Sequence, residues 1–173
     1  MTDKTKDKDA GDAAENNGKE NTGKVDFQPI VINAQYIKDL SFEAPASPGI
    51  FAEMHEDGPD VNVNVEVKAE PFSEGLYEVL LNITANCRVG SKTSFIMELV
   101  YGGLFTVKVP QEHLQPVLLI ECPRLLFPFA RNILADVTRD GGFPPLMLGP
   151  VDFVSMFQNR IHEIAGNGKD GAE

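Results

Sequence analysis

Asp39 and Glu43 are the residues whose types and spacing first suggest chemistry, set four apart in the stretch YIKDLSFEAP (36–45). Paired carboxylates do acid–base work when both reach one bond. If the stretch is a strand, Ile37, Asp39, Ser41 and Glu43 share one face, and Tyr36, Lys38, Leu40 and Phe42 share the other. At about 3.3 Å per residue the two α-carbons then stand roughly 13 Å apart. Carboxyl pairs that cleave glycosidic bonds sit about 5–9.5 Å apart, so this pair is expected to form a negatively charged strip instead.

The remaining candidates fail on context. GSKT (90–93) imitates the end of a phosphate-binding loop, but the upstream glycine is missing and strand patterns flank it on both sides. It is expected to be a hairpin turn, which leaves no motif for ATP. Cys87 and Cys122 form neither a disulfide framework nor a CxxC pair, and inert buried thiols are the expectation. His55, His113 and His162 show no metal-ligand spacing with them, so no cofactor is implied. NIT (82–84) matches a glycosylation acceptor, but no apolar signal segment precedes it.

The elements that must position the carboxylates are legible as periodicities. DVNVNVEV places Val61, Val63, Val65 and Val67 on one face of a strand. YEVLLNITANCRV does the same with Tyr77, Val79, Leu81, Ile83, Ala85, Cys87 and Val89, and TSFIMELVY with Phe95, Met97, Leu99 and Tyr101. With the opening segment these make four strands, the last two joined as a hairpin at Gly90. Residues 44–60 are too long for a hairpin turn and suit a crossover.

After residue 113 the period becomes helical. Pro116, Pro123 and Pro128 predict a broken helix with its main body over 124–139. That helix carries Leu125, Leu126, Phe127, Phe129, Ile133, Leu134 and Val137, too many apolar side chains for one stripe. A single sheet covers such a helix once, so a second subunit is the expected second cover. A last helix opens at Asp152 as N-cap and lines up Phe153, Met156, Phe157, Ile161 and Ile164.

Composition bounds the function. The net charge of −11 argues against a nucleic-acid binder and favours basic partners. The apolar segment from Val117 to Val137 is interrupted by Glu121, Arg124, Arg131 and Asp136, so no membrane insertion is expected. Residues 1–26 and 166–173 are too polar to offset their ordering entropy and are expected to be disordered tails around one domain, 27–165. Acidic side chains outnumber basic ones within that domain too. With no signal segment and only two separated cysteines, a reducing, cytoplasmic setting is expected.

Four segments then carry a resemblance. DLSFEAP (39–45), FIMELVYGGLF (95–105), CPRLLFPFAR (122–131) and GFPPLMLGPVDF (142–153) resemble, in order and spacing, the SecB family of protein-export chaperones, over about residues 29–162. The resemblance implies an α+β subunit, with a four-stranded antiparallel sheet and helices packed on one face, assembled as a dimer of dimers. It implies no enzyme, but an ATP-independent holder of unfolded precursor proteins that delivers them to the motor ATPase SecA. Asp39, Glu43 and Glu98 match the family's acidic residues that dock the basic, zinc-bearing tail of SecA; the zinc belongs to that partner. Phe42, Phe51, Ile96, Leu99, Leu104 and Phe105 are the candidate client-binding residues. The crossover loop departs from the family pattern, with Met54 and His55 and no tryptophan. The alternative function is a general holdase or antitoxin-controlling chaperone with no export role, which would not need the acidic trio.

Overall fold

The computed structural model describes residues 29–54 and 58–167. Four long strands dominate it: β1 (Ile30–Glu43), β2 (Asp60–Ser73), β3 (Leu76–Val89) and β4 (Lys92–Val107). They form one antiparallel sheet in the order β1-β4-β3-β2. β2, β3 and β4 follow one another through tight turns at Gly75 and Gly90, whose positive φ values of 69° and 55° suit glycine. β1 pairs with β4, so the connection after β1 has to travel from one edge of the sheet to the other. A short helix, α1 (Ile50–Glu53), lies on that crossover; His55 falls outside the described residues.

The period-2 pattern sorts the strands as expected. Val79, Leu81, Ile83, Ala85, Cys87 and Val89 of β3 and Phe95, Met97, Leu99, Tyr101, Phe105 and Val107 of β4 are all buried. Val61, Val63, Val65 and Val67 pair with Cys87, Ala85, Ile83 and Leu81 and thereby join the same face. Apolar side chains at alternate positions give that face a continuous surface whose burial stabilises the fold at about 25 cal/mol per Å².

Helices cover this face. The chain is helical from Gln111 to Asp140, through α2 (Gln111–Pro116), a wide π-helical turn (Val117–Glu121) and α3 (Cys122–Asp140). The break expected from the prolines does not occur. Pro116 is followed directly by the π turn, at whose end the Cys122 amide donates five residues back to the Val117 carbonyl. Pro123 removes a further donor directly after that turn, and the backbone stays helical on both sides of it. Leu126, Phe127, Ala130 and Leu134 bury one side of α3 against the sheet, while Leu125 (42% exposed) and Phe129 (50%) stay largely open, Phe129 stacked on Tyr101 of β4. The helix is thus apolar on two sides, as its composition suggests.

A final helix, α4 (Phe153–Asn167), runs past the expected domain end at 165. Of the expected tails, 1–26 and 166–173, residues 166 and 167 belong to α4, and 1–26 and 168–173 lie outside the described residues. Asp152 caps α4 as expected: its Oδ1 accepts from the Ser155 amide at 3.0 Å and its Oδ2 from the Ser155 hydroxyl at 2.7 Å. These bonds favour the charged carboxylate and hold it below its ordinary range. Phe153 is buried edge-on against Phe127, with ring centroids 6.0 Å apart. Met156 and Phe157 are half-buried, and the expected stripe ends in exposed Ile161 and Ile164.

Candidate functional site

The other face of the sheet has no helix over it among the described residues, and it carries the predicted carboxylates. Asp39 pairs with Val100, Ser41 with Glu98 and Glu43 with Ile96. Glu98 therefore lies beside Ser41, between Asp39 and Glu43, on the neighbouring strand. Directly paired positions are about 5 Å apart and diagonal ones about 7–8 Å, so the roughly 13 Å gap along β1 is filled by a third carboxylate. All three are exposed, and among the described residues none makes an ion pair or side-chain hydrogen bond. On the far side of Glu98, Thr84 of β3 continues the row without charge. The arrangement is a triangle of solvated negative charge on a rigid sheet, suited to attract several cations of one extended segment at once.

The register also corrects the expected facing of β1. A bulge lies between Ile37 and Asp39. Below it, Ile37 pairs with buried Tyr101 and falls on the helix side; above it, Asp39, Ser41 and Glu43 occupy the open side. One inserted residue has exchanged the faces, which alternation alone does not reveal.

The bulge places Lys38 on the open face, beside Asp39. Its Nζ donates to Oε1 and Oε2 of Glu78 on β3, both at 2.9 Å, and Tyr36 donates its hydroxyl to the same Oε1. Lys38 first and Tyr36 second hold the Glu78 carboxyl below its ordinary range. Tyr36 is pushed up to about 12, by burial first and then by its bond to Glu78. This cluster was not foreseen, because nothing local marks the bulge.

The expected client-binding residues divide into three places. Phe42 stacks on Phe95 at 5.6 Å, and Phe51 meets Phe143 at 5.1 Å. Phe143 also contacts Phe42 at 6.1 Å and Phe95 at 5.1 Å, so the four rings form one cluster where the crossover meets the end of α3. The sequence reading missed Phe143, whose only signal is an aromatic between glycine and proline in GGFPP. Ile96 and Leu104 are half-buried on the open face. Leu99 and Phe105 are 1% and 0% exposed under the helices and present no surface in this subunit; their odd positions on β4 place them in the core. The six therefore do not line one groove. A cleft of about 480 Å³ between β2 and α4 was also not foreseen; Val65, Val67, Leu119, Met156 and Phe157 line it, with Arg160 donating to the Val67 carbonyl at 3.2 Å.

Residues 24–164 match the family model described as preprotein translocase subunit SecB. The chain belongs to the SecB family. Among similar SecB proteins, the protein-export protein SecB of Rhodospirillum rubrum is 56% identical over 138 residues, covering 79% of this chain and 85% of that protein. The protein-export protein SecB of Paramagnetospirillum magneticum is 49% identical over 143 residues, covering 83% and 92%. The fold is also similar to that of a solved Mycobacterium tuberculosis SecB-like chaperone in complex with a peptide of an antitoxin. The TM-score is 0.61 at 14% identity, over 72% of this chain and 91% of that one.

Proposed function

We infer that this SecB-family chain is a protein-export chaperone, which holds unfolded precursor proteins without ATP and passes them to SecA. The observation that carries the hand-over is the position of Glu98: pairing β4 with β1 inserts it between Asp39 and Glu43 on an exposed face. The basic, zinc-bearing tail of SecA is the complementary partner for such a triangle. Single exposed ion pairs contribute only about 0–1 kcal/mol, so attachment relies on several charges, repeated around an oligomer.

A homotetramer, built as a dimer of dimers in the cytoplasm, is the assembly that suits this subunit. On the helix side of β1, Ile37 is 48% exposed beside Tyr101, and Tyr101 is stacked on half-exposed Phe129. Ile32 and Leu40 extend this apolar band along an edge strand with unpaired backbone groups, and both are features that a second copy would bury. Clients are held by apolar surface, with the rings of Phe42 and Phe51 and the cleft beside α4 as the places where it is reachable.

The test combines assembly, holding and docking. Light scattering is expected to give about four times the subunit mass, and wild type is expected to suppress aggregation of a denatured precursor equally with and without ATP. The triple variant Asp39→Lys, Glu43→Lys, Glu98→Lys is expected to lose calorimetric binding of the SecA tail while tetramer and holding persist. Unchanged binding with unchanged salt dependence would reduce the triangle to a solvated face.

A further inference from the structure

We propose that Glu78 keeps the open face selective for a basic segment, by holding Lys38 away from the carboxylates beside it. This rests on the docking reading above and deepens it, because it names a residue outside the acidic triangle on which docking depends.

Lys38 is a hazard created by the bulge. In an unbroken strand it would point to the face opposite Asp39; here both occupy the open face as chain neighbours. A lysine carries a compact charge on a flexible four-carbon stem, and its head can reach an adjacent carboxylate or stand in the path of an arriving cation. The structure sends it elsewhere. Its ammonium lies across β4, against Glu78 of β3, with both carboxylate oxygens at 2.9 Å.

Glu78 is a fixed anchor for that charge. Its side chain is 18% exposed against 46% for Lys38, and it accepts a second bond from the Tyr36 hydroxyl. The Tyr36 ring reaches it by lying across β4 over Gly102, where a β-carbon would sit only 2.7 Å from the ring. Three strands thus contribute to one arrangement: a tyrosine bar over a glycine, a carboxylate oriented by it, and a lysine withdrawn by that carboxylate. Ordering the carboxylate in advance removes part of the entropy that makes most exposed pairs weak.

A competing explanation is that any carboxylate on this face counts equally through the general field. Glu66 separates the two. It is on the open face of β2, in the row that runs through Asn82 and Val100 to Asp39. By strand spacing and rise, Glu66 and Glu78 stand about 14 Å and about 17 Å from Asp39, so a field effect would be similar for both.

The experiment uses the full chain and a synthetic lysine-rich peptide, titrated by calorimetry at low and physiological salt, with circular dichroism as the check on folding. Glu78→Gln is expected to weaken peptide binding about three- to tenfold at low salt, because the released Lys38 charge acts at contact range. Lys38→Gln alone is expected to bind at least as well as wild type, and Lys38→Gln with Glu78→Gln to return to within about twofold of it. Glu66→Gln is expected to change binding less than about twofold. Equal losses for Glu78→Gln and Glu66→Gln, or no rescue in the double variant, would overturn the proposal. If Asp39→Lys, Glu43→Lys, Glu98→Lys abolishes binding and Glu78→Gln does not weaken it, the proposal falls and the docking reading stands. If the triple variant binds like wild type, both fall. Should Glu78→Gln not fold, Tyr36→Phe loosens the anchor without changing charge, and a loss of about twofold that Lys38→Gln reverses is the expected result; no loss overturns the proposal.

Discussion

The two faces of this sheet are made of alternate residues of the same strands, yet they tolerate change differently. Gly102 and Gly103 show the contrast at neighbouring positions of β4. A β-carbon on Gly103 would meet Phe105 at 2.5 Å and Leu126 at 2.7 Å, in the packed layer between sheet and α3. A β-carbon on Gly102 would meet only the outer end of the Tyr36 ring, on the open face. One glycine is needed because two buried elements approach each other there; the other is needed so that one side chain can lie across a strand. The covered face is thus a packing problem and the open face an arrangement of charges, and the same substitution asks a different question on each.

The largest expected effect is on the covered face. Phe105→Ala removes a fully buried ring from the centre of the core and is expected to destabilise the fold by about 3–5 kcal/mol in denaturant unfolding. A loss below about 1 kcal/mol would mean that the sheet and α3 are not packed as described.

Gly103→Ala comes next, at about 1–3 kcal/mol, because neither the Phe105 ring nor Leu126 has room to move. Gly102→Ala is expected to cost less than Gly103→Ala, since the Tyr36 ring can swing outward, and its effect should fall on peptide binding instead. Equal stability losses would break the distinction between the faces.

A smaller effect, spread over pH, separates the faces in another way. Tyr36 on the open face is raised from 10.0 to about 12, mainly by burial, and Cys122, the buried first residue of α3, is raised from 9.0 to about 12, by burial and then by the Glu121 charge. Both groups are neutral when protonated. Between the ordinary and the raised values the folded chain keeps protons that the unfolded chain has released, so stability is expected to fall as pH rises from 9.0 towards about 12. Thermal unfolding across that range should show Cys122→Ala flattening the fall from its beginning, and Tyr36→Phe only above 10.0. Glu78 works in the opposite direction: its lowered carboxyl stabilises the fold above the ordinary value of 4.5, and that contribution is lost as pH falls through the folded value.

What the sequence determined by itself follows from local periodicity. Side chains two apart in a strand share a face, so the buried set on β3 and β4 was readable before any pairing was known. The helical period after residue 113, the two-sided apolar surface of α3 and the Asp152 cap were readable for the same reason. The three acidic residues were readable as a set only through resemblance to a family, because Glu98 lies far from Asp39 and Glu43 along the chain.

Tertiary structure decided the rest, and in each case the cause is non-local. Only the register of β1 on β4 sets Glu98 beside Ser41. Only the bulge, a backbone event without a residue signature, sets Ile37 on the helix side and brings Lys38 out beside Asp39. The prolines predicted a broken helix because propensity counts the lost bonds, but packing α3 against the sheet favours continuity, and a π turn absorbs the misfit. Leu99 and Phe105 look like surface candidates as long as every apolar residue is a candidate. Covering one face with helices makes them core and leaves Ile96 and Leu104 on the other side, a choice that depends on which face the helices take and that no single strand records.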